Sequence, residues 1–311
     1  MRQAPDVSIL IVNWNTRDTV LQCLDALPTG VDDDLTYEVI VVDNGSVDGS
    51  AEALGERLDV TLVRNDANLG FAAAVNQAYR YAGAEFVLLL NSDVDLTSGA
   101  LSTLARFLRA HPDVAGAAPL YLNPDGSPQP FHFRFPTFAT TLANGSGVFR
   151  RLLPSSEERL SHYRMADADF SKPLPVPQPS ASCLLLRRSV LPDREILDER
   201  YPIFFNDVKL ARSLADKGHA LWVTPDAVVL HEAHSSARQL GHGPGRRQYL
   251  ASTVNMLSET ESPLDVWLYR SIVFGQNVAL WAMRRPEALW GRDLWKALAG
   301  DPGPLPARPS R

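Results

Sequence analysis

Two cysteines in 311 residues cannot build a multi-bridge disulfide framework or a four-cysteine zinc site, and Cys23 and Cys183 stand far apart. A reducing compartment is the simpler setting for so few thiols. No run of eighteen or more apolar residues occurs, so no spanning helix is expected. The N-terminal segment lacks a basic stretch leading into an apolar run and a small-residue cleavage site, so no secretory leader is expected. Lysine is scarce, and most of the 30 basic residues are arginines. They are outnumbered by 36 acidic residues, leaving a net charge of −6. That balance argues against sequence-blind nucleic-acid binding, which rests on many cations facing phosphates. Internal repeats are absent as well. What remains is an ordinary globular composition, 45% hydrophobic and 21% charged. It is enough for one large domain or two small ones with a sizeable core.

The first 120 residues alternate short apolar runs with helical patterns. The runs are Val7 to Val12, Tyr37 to Val42, Val60 to Val63 and Phe86 to Leu90. Runs without polar alternation predict strands buried on both faces, as in parallel sheets covered by helices. Alternating β and α segments imply right-handed crossovers. Asn13, Asp43 and Asp93 fall where runs end, which is where open α/β sheets bind ligands. From Asn123 to Ser180 the chain is rich in Pro and aromatics, with Phe131, Phe133 and Phe135 alternating. Long loops with one strand pair are expected there. Order resumes at Ser182–Leu186, with a helix over Asp207–Lys217 and two short strands, Ala220–Val223 and Ala227–Leu230. The last eighty residues read as helical, and four prolines from Asp301 onward suggest a disordered tail.

Four constellations could carry chemistry. Asn91-Ser92-Asp93-Val94-Asp95 follows a strand, where carboxylates suit a hard divalent cation. The plain alternative is a solvated acidic turn. Asp43-Asn44-Gly45-Ser46-Val47-Asp48-Gly49-Ser50 is a tight turn whose Asp43 could bond a ribose or base. It lacks the G-x-G-x-x-G spacing of dinucleotide sites. Asp207, behind Phe204 and Phe205, is either a desolvated base or a helix N-cap. His231-Glu232-Ala233-His234-Ser235-Ser236 ends an apolar run and offers imidazoles to a metal, or is simply a loop.

Taken jointly, these segments resemble the family-two glycosyltransferases of the GT-A fold. The resemblance is carried by Val7–Asn15, Val41–Ser50, Asn68–Asn76, Leu88–Asp93, Leu122–Ser127, Leu197–Tyr201 and the block at His231, in order and spacing over residues 6–238. The closest branch is the rhamnosyltransferases, some of which extend lipid-linked cell-envelope glycans. The resemblance implies an open, mostly parallel α/β sheet flanked by helices. Residues 1–238 would form the catalytic domain, with a nucleotide-sugar half (1–122) and an acceptor half (123–238). A helical extension (239–300) and the tail (301–311) follow.

The resemblance also implies roles. Asp43 would contact the donor's base or ribose beside Asn13, Trp14 and Asn15. Asn68, Gly70 and Asn76 would line the nucleotide pocket. Asn91-Ser92-Asp93 stands at the family's D-x-D element, so Asp93, with His231, would hold Mg²⁺ or Mn²⁺ on the diphosphate. Asp207 would be the catalytic base of an inverting transfer, with Asn206, His234 and Ser235 near acceptor or diphosphate. The implied partners are a nucleoside-diphosphate sugar, dTDP-rhamnose first, and a glycan or polyprenyl-linked acceptor. Two positions depart from the family pattern. Its Glu-Asp is Asn206-Asp207 here, and the Asp two residues later is Lys209. Loss of the neighbouring charge would lower the Asp207 pKa and alter acceptor contacts.

Two rival readings follow from the same residues. Asp93-Val94-Asp95-Leu96-Thr97 fits the D-x-D-x-T signature of haloacid-dehalogenase-like phosphatases, with Asp93 as nucleophile. Asn206 and Lys209 would suit a non-catalytic nucleotide-sugar-binding protein. Charge divides unevenly: residues 1–232 hold 20 basic and 30 acidic residues, and residues 233–311 hold 10 and 6. In the basic part, Leu264, Trp267, Leu268, Phe274, Val278 and Trp281 recur at helical spacing near Arg270, Arg284 and Arg285. Such a helix packs on the catalytic domain or a second subunit, or lies on an anionic membrane. The expected location is the cytoplasm, with peripheral contact at the inner face of the plasma membrane as the membrane reading.

Overall fold

In a computed structural model of the chain, residues 4–32, 34–145, 150, 155–232 and 237–306 are described. Strand β1 (Val7–Asn13), helix α1 (Arg17–Ala26), β2 (Tyr37–Asp43), α2 (Ser50–Gly55), β3 (Thr61–Arg64), α3 (Phe71–Tyr79) and β4 (Phe86–Asn91) alternate along the first third. The four strands run parallel in the order β3-β2-β1-β4. Strand order therefore reverses between β1 and β4, and open α/β sheets form their ligand crevice at such a point. Register pairs Asn13 with Asp43, and Val12 with Asn91. Parallel strands end on the same side, so the polar residues that end them meet at one edge.

Beyond β4 the sheet becomes mixed. The elements are β5 (Val94–Leu96), α4 (Ala100–Ala110), β6 (Val114–Leu122), β7 (Pro128–Gln129), β8 (His132–Phe133), α5 (Phe138–Gly145), α6 (Ser156–Tyr163), β9 (Leu174–Pro175), β10 (Gln178–Pro179), β11 (Cys183–Arg187), α7 (Asn206–Asp216) and β12 (Ala220–His231). β11 is antiparallel to both β4 and β6. β12 runs parallel to β6, and β5 closes the edge antiparallel to β12. The two strands expected over 220–230 are one strand interrupted by a register shift between Val223 and Val228. Pro225 sits in that gap, where a residue without N–H cannot continue the ladder. The expected strand pair in the aromatic segment is β8 with β10. The same region also folds α5 and α6, which the sequence pattern did not signal. α5 contains Thr140, Thr141 and Asn144, weak helix formers, and buried Leu142 and Ala143 tie it to the rest.

Side chains alternate across the sheet. Val7, Ile9, Ile11, Phe86, Leu88 and Leu90 pack on one face with α1 and α4. Leu10, Val87 and Leu89 pack on the other with α3 and α7. Both cysteines are free and buried.

Three helices complete the chain: α8 (His242–Thr260), α9 (Pro263–Ala282) and α10 (Gly291–Leu298). Ser262 caps α9 by accepting from the Asp265 N–H at 3.2 Å, with Pro263 at the first helical position. The helices share a third core with Leu142 of α5 and Tyr201, so one face packs inward. The opposite face stays exposed: Leu264, Trp267, Phe274, Trp281, Met283, Trp290 and Trp295 all face solvent. Trp281 stacks on Trp290 at 4.7 Å, and Phe274 contacts Trp295 at 5.6 Å. Among the described residues, no helix is long and apolar enough to cross a membrane. The first residues of the proline-rich tail are not loose. Gln248 donates to the carbonyls of Pro302 and Gly303, at 3.1 and 3.2 Å. Prolines cannot pair their own nitrogens, but their carbonyls accept from a neighbouring helix.

Candidate active site

A cavity of about 310 Å³ opens at the switch point. Its wall includes Trp14, Asn44, Asn68, Asn91, Ser92, Asp93, Asn206, Asp207 and His231. Residues more than two hundred positions apart thus face one space.

The β1 and β2 ends are knotted together. Asn13 Nδ2 donates to Asp43 Oδ1 at 2.8 Å and to Ser46 Oγ at 3.1 Å, and Thr16 Oγ1 donates to Asn13 Oδ1 at 2.8 Å. Asp43 also accepts from the Ser46 N–H at 3.1 Å. Asn15 takes a left-handed conformation with φ 53° and accepts from the Val47 N–H at 2.7 Å. Asn13, Asn15 and Asp43 therefore support the wall and are not among the residues lining it. Trp14 lines it, and its Nε1 is buried without a hydrogen-bond partner. A buried donor of that kind favours a polar ligand atom. Sequence reasoning did not single out Asn44, which lines the cavity. Its amide bonds Asn68 Oδ1 at 3.0 Å and accepts from the Leu69 N–H at 3.1 Å.

Two expected pocket residues act elsewhere. Asn76 is fully buried, and its amide is spent on four hydrogen bonds, to Leu197 O and Glu199 and from the Ile196 and Leu197 N–H groups. It clamps α3 to the loop after β11 and is not among the residues lining the cavity. Gly70 has φ +92°, and a Cβ there would lie 2.9 Å from Pro202 and 3.1 Å from Leu305. Its role is the close approach of that loop and the tail.

The metal-type pair is assembled by antiparallel pairing. His231 lies opposite Val94, which brings its ring beside Asp93. Nε2 is 3.5 Å from Asp93 Oδ1, and both side chains are nearly inaccessible, at 2% and 7%. The Glu232 N–H donates to the Asp93 carbonyl at 3.0 Å. Gln129 fixes the imidazole. Its amide nitrogen donates to Asn123 Oδ1 at 2.8 Å and to the His231 carbonyl at 3.3 Å. Its oxygen therefore accepts from His231 Nδ1–H at 2.8 Å. With Nδ1–H committed to Gln129, Nε2 is the ring nitrogen that faces Asp93 and is left for a metal. Among the described residues, no cluster of three or more His, Cys, Asp or Glu could hold a metal alone. One carboxylate with one imidazole fits Mg²⁺ or Mn²⁺ only when substrate phosphates complete the sphere. Asn91 donates to Ser182 Oγ at 3.1 Å, and Ser92 Oγ lies 3.3 Å from Thr16 Oγ1.

Asp207 sits in the first turn of α7, after Phe205 at φ 67°. It keeps some accessible surface because it lines the cavity, but protein surrounds it. That enclosure raises its pKa, against the hydrogen bonds from the Val208 N–H and Gln178. The expected lowering from the missing neighbouring charge is therefore overridden by burial. Asn206 donates to the Ile203 and Tyr201 carbonyls, at 2.8 and 3.4 Å, and braces its own turn. Lys209 leaves the site altogether. It pairs with Glu259 of α8 at 2.6 Å, and Arg200 joins the same carboxylate at 2.8 Å. His234 and Ser235 lie outside the described residues. Asp95 accepts from Gln22 of α1 at 2.7 Å on an exposed surface and does not line the cavity. The paired-aspartate geometry of a phosphatase is not assembled.

A strand-order switch with a carboxylate–imidazole pair at its carboxyl edge, faced by an enclosed aspartate, defines a GT-A type glycosyltransferase. The Glycosyl transferase family 2 model matches residues 8–194, and the chain belongs to that family. It is a glycosyltransferase enzyme. The N-acetylglucosaminyl-diphospho-decaprenol L-rhamnosyltransferase of Mycobacterium tuberculosis (strain ATCC 25618 / H37Rv) is 33% identical over 215 residues, covering 64% of this chain and 68% of the relative. The poly(ribitol-phosphate) beta-glucosyltransferase of Bacillus spizizenii is 32% identical over 100 residues, covering 30% of this chain and 16% of the relative. The fold is shared with mannosyltransferase PcManGT from Pyrobaculum calidifontis, solved with GDP-Man and Mn²⁺ (TM-score 0.53, 16% identity, 96% of this chain and 88% of that one). It is shared also with GalNAc-T7, solved with UDP, GalNAc and Mn²⁺ (TM-score 0.58, 16% identity, 81% of this chain and 48% of that one).

Proposed function

We propose that the enzyme transfers a sugar with inversion, from a nucleoside diphosphate to a hydroxyl of a glycan or polyprenyl-linked glycan. The donor is dTDP-β-L-rhamnose in the first instance, the sugar in the name of the mycobacterial relative. One observation carries this reading: the Asp93–His231 pair and Asp207 line the same cavity. Asp207 takes the proton from the acceptor hydroxyl. The acceptor oxygen bonds to the anomeric carbon from the face opposite the diphosphate. The bond from that carbon to the phosphate oxygen breaks, and its electron pair leaves with the diphosphate. Asp93 and His231 would hold a divalent cation, which would supply stabilisation of the negative charge on the departing diphosphate. Trp14, Asn44, Asn68, Asn91 and Ser92 hold the donor, and Asp43 steadies the turn beside its base or ribose.

Asp207→Asn is expected to cut transfer about a hundred- to ten-thousandfold while nucleotide-sugar binding persists. A metal-supplemented screen of nucleotide sugars, read by calorimetry and slow hydrolysis, checks the donor. Near wild-type transfer by the Asn variant would remove Asp207 from the base role.

The exposed tryptophan face of α9 and α10 supports a second part of the reading. Arg284, Arg285 and Arg292 are exposed beside it. Aromatic residues rimmed by arginines suit the headgroup layer of an anionic membrane. We infer that this face rests there and presents the cavity to a lipid-linked acceptor.

A further inference from the structure

A second cavity of about 180 Å³ lies against the first, between α5, α6, α8 and the start of α7. The two share Phe204, Phe205 and Asp207, so the proposed base stands at their junction. Among the described residues, Asp207 is the one charged group in its wall. The rest of the described wall is uncharged: aromatic rings including Tyr163, Phe205 and Tyr249, with hydroxyls, side-chain amides and two aliphatic residues. Two of its polar atoms are buried without partners: Gln178 Oε1 and Thr141 Oγ1. Gln178 and Thr141 are 3% and 5% exposed. Buried polar atoms left unpaired are costly, and their usual resolution is a ligand or water. Gln178 spends its other end on Asp207, with Nε2 donating to Oδ2 at 3.2 Å.

We propose that this second cavity seats the uncharged sugar ring of the acceptor, with Gln178 positioning both that ring and the base. The proposal rests on the glycosyl-transfer reading above. Among the described residues the wall offers a carboxylate and no cation, which disfavours a phosphate there. A sugar ring matches it: hydroxyls satisfy Gln178 Oε1 and Thr141 Oγ1, and the aromatic faces cover its C–H groups. The diphosphate of a lipid-linked acceptor would then lie outside, and the hydroxyl that reacts would meet Asp207 at the junction. Its proton passes to the carboxylate, and its oxygen enters the first cavity to form the new bond.

The test uses the full chain and methyl N-acetyl-β-D-glucosaminide as probe, with saturation-transfer NMR as readout. Wild type is expected to transfer saturation to the ring protons. Thr141→Phe, which fills the cavity, is expected to weaken binding at least tenfold. Thr141→Val, nearly isosteric, is expected to weaken it severalfold and guards against misfolding of the larger variant. Inorganic pyrophosphate is expected not to compete. Unchanged binding in both variants would overturn the proposal, and so would competition by pyrophosphate. Failure of the underlying reading looks different: wild type would bind no nucleoside diphosphate in the presence of Mn²⁺.

Discussion

Gln129 shows how a residue outside every motif can set the chemistry of one inside. Its amide is pinned by two acceptors, which leaves only its oxygen for His231 Nδ1–H. Gln129→Leu frees the ring to change tautomer or rotate. Partners of this kind are worth about 10- to 100-fold in metal affinity, so Mn²⁺ binding in the presence of dTDP should weaken by that factor. Electron paramagnetic resonance titration checks it, and unchanged affinity would show that the ring is held by its packing against Tyr121 and Phe131 alone. Asp207 makes a prediction about pH. Burial raises its pKa, so the folded state keeps this proton at a pH where the unfolded chain has lost it. Activity, which needs the carboxylate, falls as pH drops through the raised value. The acid limb of kcat should therefore sit above the ordinary aspartate range. Gln178→Leu removes a donation that favours the charged form, and should move the limb to higher pH. Stability has the opposite sense: this group's contribution is full at low pH and is lost as pH rises through its folded pKa. Asp207→Asn should therefore be at least as resistant to urea as wild type at neutral pH.

The strands and helices of the first half were legible because burial on both faces leaves a signature in the apolar runs. The polar ends of β1, β2 and β4 were legible as a group for the same reason. Asn76 was not. An asparagine in α3 reads alike whether it faces a nucleotide or a loop, and only the position of residues 196–199 decides. Asn76→Ala would leave buried backbone groups of that loop unpaired, at about 1–3 kcal/mol for each such group. Chemical unfolding should show the loss, while nucleotide affinity of the folded fraction stays within a factor of a few. A specific loss of nucleotide affinity with unchanged stability would return Asn76 to the donor site. Helix α5 was also missed, because Thr140, Thr141 and Asn144 are weak helix formers and long-range packing overrides that preference, and α6 was missed although Glu157, Glu158, Arg159 and Leu160 favour a helix.

Across the whole molecule, charge and apolar surface are distributed unevenly. Residues 1–232 are net acidic and residues 233–311 are basic, with 10 basic against 6 acidic in the latter. Helices α8 to α10 present two unlike faces. Their inner face shares a core with Tyr201 and Leu142, as a packing helix would. Their outer face keeps Trp267 and Trp281 exposed at 61% and 53%, beyond what burial of a single stripe requires. The chain should float with vesicles containing phosphatidylglycerol and not with neutral ones, more weakly at high salt. A Trp267→Glu, Trp281→Glu double variant should lose flotation with little change in melting temperature. Flotation that survives the change would sink the membrane reading, as would light scattering that finds a dimer broken by it.

The sequence by itself determined the parallel half-sheet and the edge at which the polar residues ending its strands gather. Those follow from local pattern: apolar periodicity and the polar residue that ends each run. Tertiary structure decided which of those residues share a space. It set His231 beside Asp93 through an antiparallel register, and turned Asp95 and Lys209 away to α1 and α8. It also enclosed Asp207 and opened a second cavity behind it. Register, burial and long-range pairing depend on chain segments distant in sequence, and no local pattern encodes them.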